Sequence, residues 1–278
     1  MALVVILSLC SAFSYGLADF LGGVLTRRAS AWAVAAATQA AAAALTVVLA
    51  TTNAGDVRTA SVLWSVLAGV GGGAGSVLIF RGLADGRMAV VAPVSAIAAG
   101  ALPVLVGLGV GERPGTAPMV GVLLALPAIW LVSGGDSGLR HAGRADVIRG
   151  LAAGVAFGVQ FSALGQIPRE AGLTPLAISQ VASVCAIVVA ASALSKSWLP
   201  RDRFSGLGAV AGVFTGLASV CFQLAVQRGL LTVAGVLASL YPAMTVLLAA
   251  IVLRERIHLQ QGIGLTLAVA AVALIGAG

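Results

Sequence analysis

Charged residues are scarce in this 278-residue sequence. Asp, Glu, Lys and Arg together make up 9% of it, whereas 60% of the residues are hydrophobic. The mean hydropathy is +1.08. A soluble domain carries about 25% charged residues, because its surface must be solvated by water. The composition therefore excludes an ordinary soluble domain and predicts a chain that is solvated by lipid.

Potential metal ligands and clustered basic residues are also rare. The three cysteines, Cys10, Cys185 and Cys221, lie inside apolar runs without metal-ligand spacing, and we interpret them as small buried hydrophobic residues. His141 lies outside these runs and His258 at the very start of one, and neither has acidic or cysteine partners that could complete a metal site. The net charge of +7 comes from scattered Lys and Arg, whereas nucleic-acid binding needs them on one face. We therefore expect no metal, no cofactor and no nucleic-acid partner.

What the sequence does contain is a series of long apolar runs separated by short polar breaks. Each is about 20 residues long, which at about 1.5 Å per helical residue crosses roughly 30 Å of hydrocarbon. We predict an all-α polytopic membrane protein with ten transmembrane helices. They are expected near residues 3–24, 32–52, 61–80, 88–110, 115–134, 149–167, 174–194, 206–227, 231–253 and 258–277. The first run is too long for the apolar part of a signal peptide and counts as a span.

The two halves of the sequence resemble each other. Two hairpins align when Glu112 is paired with Glu255, which also pairs Arg113 with Arg256 and Gly121 with Gly264. A second offset pairs Asp19 with Gln160, Phe20 with Phe161, Arg28 with Arg169, and Gln39 with Gln180. We predict two five-helix repeats, residues 1–135 and 147–278. Because five is odd, the second must enter the membrane inverted, and inverted repeats place a binding site near mid-membrane where they meet.

Asp19 is the ionisable residue that lies deep inside a predicted span. A central Asp costs about 2.5–3.5 kcal/mol on insertion scales, so its presence needs a reason. Tyr15 lies four residues earlier, on the same helix face. Asp19 could bind a cationic part of a substrate or take up a proton during transport. Alternatively, it is a structural hydrogen-bonding residue, or it is hydrated near Arg27 and Arg28.

Four uncharged amides also lie in the middle of spans: Gln39, Gln160, Gln180 and Gln223. If they converge, they would form a polar site for a small solute with several donors and acceptors. The alternative is hydrogen bonding between helices, which contributes under about 1 kcal/mol each.

Prolines interrupt two of the spans. Tyr241 and Pro242 lie within the ninth span and Pro103 within the fourth. A proline removes a backbone hydrogen bond and clashes with the preceding turn, so a kink is expected at each position. Freed carbonyl groups at such a kink can line a binding site, and the alternative is a kink without function.

The sequence resembles an EamA-type permease of the drug/metabolite transporter superfamily. The resemblance is carried by Ser239–Pro242, by Arg254–Arg256 with Glu255 thirteen positions after Pro242, and by Gly111–Arg113, although Ala99 replaces the first repeat's proline. The residues from Tyr15 to Gly23 are similar to the opening of some actinobacterial members. The resemblance implies ten helices, a bacterial cell-membrane location and transport of small metabolites by alternating access.

The function expected is therefore a secondary active transporter for a small metabolite or drug-like solute, with proton coupling through Asp19 as one form. The glycine-rich stretch at residues 69–75 lacks the preceding strand of a phosphate-binding loop, so ATP hydrolysis is not expected. The alternative is a membrane scaffold or assembly subunit without a solute of its own. An enzyme is not expected, because the spans hold no nucleophile–base pair.

The expected partners are a small-molecule substrate and the lipid bilayer, and a homodimer is left open. The orientation is also open. Odd-numbered breaks hold twelve of the sixteen Lys and Arg, which places both termini outside. The family resemblance implies termini in the cytoplasm.

Overall fold

The computed structural model describes residues 1–84, 88–132, 143–252 and 258–277, and this part of the chain is all-helical. The aligned residues Glu255 and Arg256, His141 and the predicted repeat boundary at residue 135 lie outside the described residues.

Eleven helices organise the described chain. The first five are α1 (Ala2–Thr26), α2 (Ala31–Thr52), α3 (Thr59–Ala84), α4 (Met88–Gly109) and α5 (Thr116–Val132). The other six are α6 (Arg144–Gly165), α7 (Thr174–Ala193), α8 (Gly208–Val226), α9 (Leu231–Ala238), α10 (Tyr241–Val252) and α11 (Leu259–Gly276). Two single turns, Arg169–Ala171 and Arg203–Gly206, precede α7 and α8.

Many of these helices could cross a membrane. By length and composition, seven described helices are long and apolar enough, and three further apolar segments are shorter: Val94–Gly109, Thr116–Val132 and Leu231–Met244. The predicted all-helical class is confirmed. The predicted ninth span is divided, because α9 ends at Ala238 and α10 begins at Tyr241. Pro103, in contrast, lies inside α4 and does not end it.

Small residues allow the helices to approach one another closely. Gly73 of α3 faces the backbone of α7, where an added Cβ would lie 2.7 Å from the Ser183 carbonyl oxygen. Gly69, one turn earlier, faces Ser179 in the same way. Helices in lipid associate through such close packing, since burial from water does not drive them together. This packing uses many of the 36 glycines.

The contacts between the two halves are reciprocal. Helix α3 packs against α6 and α7, and its counterpart α8 packs against α1 and α2. Helix α4 packs against α6, and α1 packs against α9 and α10. Helices α5 and α11 pack against each other, as do α2 and α7. In each of these pairs, a helix of one half packs against a helix of the other half.

Individual residues repeat this reciprocity. Gly121 of α5 faces Ile275 of α11, and Gly264 of α11 faces Val132 of α5. The counterparts Gly121 and Gly264 are 143 positions apart, and so are Val132 and Ile275. One contact of a glycine with a branched side chain is therefore made twice, with the two halves exchanged.

Candidate functional site

A small cavity lies between the two halves. Its lining comes from α1, α2, α3, α6, α8 and α10 and consists of Tyr15, Asp19, Thr38, Gln39, Ser76, Phe80, Phe157, Gln160, Phe161, Thr215 and Tyr241. Its volume is about 30 Å³, room for about two water molecules. The cavity is therefore smaller than a metabolite.

Asp19 lines this cavity from α1 and is half-buried. Within the described part of the chain, its carboxylate has neither a hydrogen-bond donor nor an ion-pair partner. Among the described residues, the cavity lining contains no Lys, Arg or His. A carboxylate away from bulk water is costly unless its charge is compensated. Asp19 can therefore hold either a cation or a proton at this position.

A hydrogen-bond network with Ser219 and Gln180 fixes the position of Tyr15. The Ser219 hydroxyl donates its one hydrogen to the Thr215 carbonyl oxygen at 2.9 Å. Ser219 Oγ therefore accepts from both the Tyr15 hydroxyl and Gln180 Nε2, each also at 2.9 Å. Gln180 is absent from the cavity lining and contacts it through Ser219 and Tyr15. Because the Tyr15 hydroxyl donates its hydrogen to Ser219, the Tyr15 oxygen can act toward a ligand only as an acceptor.

Gln39 connects α2 to two neighbouring helices. Its Nε2 donates to Ser183 Oγ on α7 at 2.7 Å and to Ser76 Oγ on α3 at 3.3 Å. Its Oε1 has no partner among the residues described. Gln160 lies on α6, and Gly72 of α3 makes room for it: a Cβ there would lie 3.0 Å from the Gln160 amide.

The remaining predicted residues lie elsewhere. Gln223 Nε2 donates to the Leu164 carbonyl oxygen at 3.5 Å, away from the cavity lining. Pro103 packs against Gly235 of α9. Pro242 is the second residue of α10, directly after the helix break, and its neighbour Tyr241 lines the cavity.

The structure thus brings Tyr15, Asp19, Gln39, Gln160 and Tyr241 to one cavity, with Gln180 one contact away. Their roles in binding or coupling stay predictions.

Three phenylalanines line the cavity that were not predicted from the sequence as site residues. Phe80 lies on α3, and Phe157 and Phe161 lie on α6. The rings of Tyr15 and Phe161 have centroids 5.8 Å apart and are tilted by 59°. The signal that could have found the α6 pair is their spacing with Gln160: positions i, i+3 and i+4 fall on one helix face. In an apolar run, phenylalanine otherwise attracts no notice.

The described residues hold no group of three or more His, Cys, Asp or Glu side chains that could bind a metal ion.

Comparisons with known proteins support the family resemblance. The model of the EamA-like transporter family matches residues 146–277, the second half of the chain, and the predicted resemblance is confirmed. A crystal structure of another protein is similar in fold to this chain, with a TM-score of 0.72. The match covers 96% of this chain and 95% of that one, at 19% sequence identity, and it shows the fold alone. Comparison with curated proteins gave no match.

Proposed function

Since residues 146–277 carry the pattern of the EamA-like transporter family, we propose that this multi-pass membrane protein is a secondary active transporter. It moves a small metabolite or drug-like solute across the membrane by alternating access. The observation that carries the proposal is the cavity between the halves, to which six helices contribute polar or aromatic side chains. In an otherwise apolar chain, enclosed polar groups mark a solute pathway.

Alternating access requires two halves that exchange roles. The reciprocal helix contacts support two inverted five-helix repeats. The backbone between α2 and α3 supports the inversion as well. It bonds to the segment after α6, through Leu173 N–H to the Asn53 oxygen and Asp56 N–H to the Glu170 oxygen, both at 2.9 Å. In repeats of equal orientation, these two segments would lie on opposite sides of the membrane.

Chemical labelling tests this inversion. Asp56→Cys and Lys196→Cys, introduced separately into a variant without native cysteines, are exposed to a membrane-impermeant thiol reagent in intact cells. Inverted repeats place the segments after α2 and after α7 on opposite sides, so one variant is labelled and the other is not. Labelling of both from outside would contradict the inversion, and which one reacts also gives the orientation.

Proton coupling through Asp19 is the mechanism that we propose for energising transport. A carboxylate that has no basic neighbour among the described lining residues can alternate between a proton and a solute as the cavity opens to each side. In proteoliposomes with a pH gradient, uptake of a metabolite panel is compared between the wild type, Asp19→Asn and the control Asp56→Asn, which lies in an exposed segment. We expect gradient-driven uptake in the wild type and the control only. Unchanged coupling in Asp19→Asn would end this mechanism.

A membrane scaffold is the alternative function, since a scaffold has no solute of its own. Thermal stabilisation of the purified protein by metabolites separates the two, because a ligand that binds the folded state raises its stability. A transporter responds to some metabolite and a scaffold to none. Catalysis is not part of the proposal. We also propose a bacterial cell-membrane location, and light scattering of the purified protein would test the homodimer.

A further inference from the structure

Aromatic residues are concentrated at the cavity. Phe, Trp and Tyr make up 5% of the chain. Both tyrosines of the sequence and three of its eight phenylalanines line this one small space. Aromatic rings carry negative charge density on their faces, which attracts cations and repels anions. The rings therefore favour a positively charged solute.

The formal charge of the cavity lining is negative and therefore also favours a cation. Asp19 is the acidic residue of the cavity, and none of the described lining residues is basic. An anionic solute would meet this carboxylate without any compensating cation, in surroundings that screen charge poorly. A cationic solute would supply Asp19 with a counter-charge, which none of the described lining residues provides.

The hydrogen-bond donors of the lining are mostly used by the protein itself. Thr38 donates to the Gly208 oxygen at 3.1 Å and Thr215 to the Ala211 oxygen at 3.1 Å. Tyr15 donates to Ser219, and both Gln39 bonds are donated to serines. What remains toward a solute is mainly hydrogen-bond acceptors and aromatic rings. The Gln160 amide and the Ser76 hydroxyl donate to no other described residue, so they can bind a hydroxyl or carbonyl oxygen of the solute.

We propose that the transported solute is an organic cation, whose ammonium group pairs with Asp19 and lies against the aromatic rings. This rests on the proposed transport function and adds the substrate class to it. The cavity must widen to admit such a solute, because its volume of about 30 Å³ has room for only about two water molecules. Tyr241 follows the break between α9 and α10, so its ring lies where the chain can bend.

Three solutes of nearly equal shape test the charge requirement. Choline is the cation, 3,3-dimethylbutan-1-ol its uncharged counterpart and 3,3-dimethylbutanoate the anion. Binding to the purified protein is measured by calorimetry and by thermal stabilisation, with benzyltrimethylammonium and tetraethylammonium as larger cations. We expect a cation to bind at least about thirtyfold more tightly than the uncharged or anionic compounds.

Variants separate charge pairing from ring contact. Asp19→Asn should weaken cation binding about thirtyfold or more, while Asp56→Asn should leave it unchanged. Tyr241→Phe keeps a ring face and should keep cation affinity. Tyr241→Leu should lose a few-fold in affinity for the cation but not for the alcohol. Ligand-free unfolding temperatures verify that each variant is folded.

The outcomes distinguish this inference from the proposed function. If the alcohol or the anion binds as well as every cation, or if Asp19→Asn retains cation affinity, the cation class is wrong. Uptake of an uncharged or anionic metabolite by proteoliposomes would then still support a transporter. If no solute of any charge binds or is moved, the proposed function fails as well.

Discussion

Glu112 caps the N-terminus of α9: its Oε1 accepts a 2.6 Å hydrogen bond from the backbone N–H of Leu231. Oε2 accepts from the Thr232 N–H at 2.8 Å and also from the Thr232 hydroxyl. The first N–H groups of a helix lack partners within it and carry partial positive charge. The break after α4 is thereby joined to the second half of the chain, next to the helix that contributes Tyr241.

Replacing Glu112 removes this cap. Glu112→Ala should lower the free energy of unfolding by about 1–2 kcal/mol, the usual effect of losing an N-terminal cap. Glu112→Gln, which keeps an acceptor oxygen, should lose less. Denaturation in detergent measures both. Asp56→Ala, in an exposed segment, is the control, and a loss in Glu112→Ala no larger than in this control would contradict the role of the cap.

Gly73→Ala should destabilise the packing of α3 on α7. The new Cβ would lie 2.7 Å from the Ser183 carbonyl oxygen, so the helices must separate, at a cost of about 1–3 kcal/mol. Gly262→Ala is the matched control, since a Cβ there has no neighbour within 4 Å. Because Gly262 lies inside α11, Gly262→Ala should raise the free energy of unfolding by about 0.5–1 kcal/mol. Unfolding temperatures that shift equally in the two variants would rule out the close contact.

Gln180→Ala should weaken the positioning of Tyr15 without changing the choice of solute. The substitution removes the Gln180 bond to Ser219, which contributes about 0.5–1.5 kcal/mol. We expect slower transport and a lower unfolding temperature, while the ratio of affinities for choline and its uncharged counterpart stays that of the wild type. If the variant instead bound choline and its uncharged counterpart with nearly equal affinity, Gln180 would have to contact the solute directly.

Asp202 should make the fold sensitive to acid. Hydrogen bonds from the Ser205 backbone N–H and hydroxyl lower the pKa of Asp202 below its usual value. A lowered pKa in the folded state contributes stability above the unfolded pKa of about 3.9, and this is lost as the pH falls through the folded pKa. Between pH 6 and pH 3, unfolding temperatures should therefore fall less in Asp202→Ala than in the wild type. Parallel curves would contradict the assignment.

The all-helical class of the described residues was predictable from the sequence, because the length of an apolar run and the prolines within it act locally. The division of the ninth span near Tyr241 and Pro242 illustrates this, since proline cannot continue the backbone hydrogen bonding of the preceding turn. Asp19 was also predictable as a site candidate, because a carboxylate within an apolar run is costly wherever the helix lies.

The composition of the cavity was decided by the tertiary structure. Gln39 and Gln223 look alike in sequence, yet one lines the cavity and the other bonds to the Leu164 carbonyl oxygen. In the sequence, Phe157 and Phe161 do not differ from other apolar residues. They line the cavity with Asp19 because the face of α6 that carries them is turned toward it. The face that a helix turns toward the cavity depends on where its glycines pack against the backbone of helices in the other half. Apolar runs determine which helices are long enough to cross a membrane, and contacts between distant residues determine which side chains line the cavity.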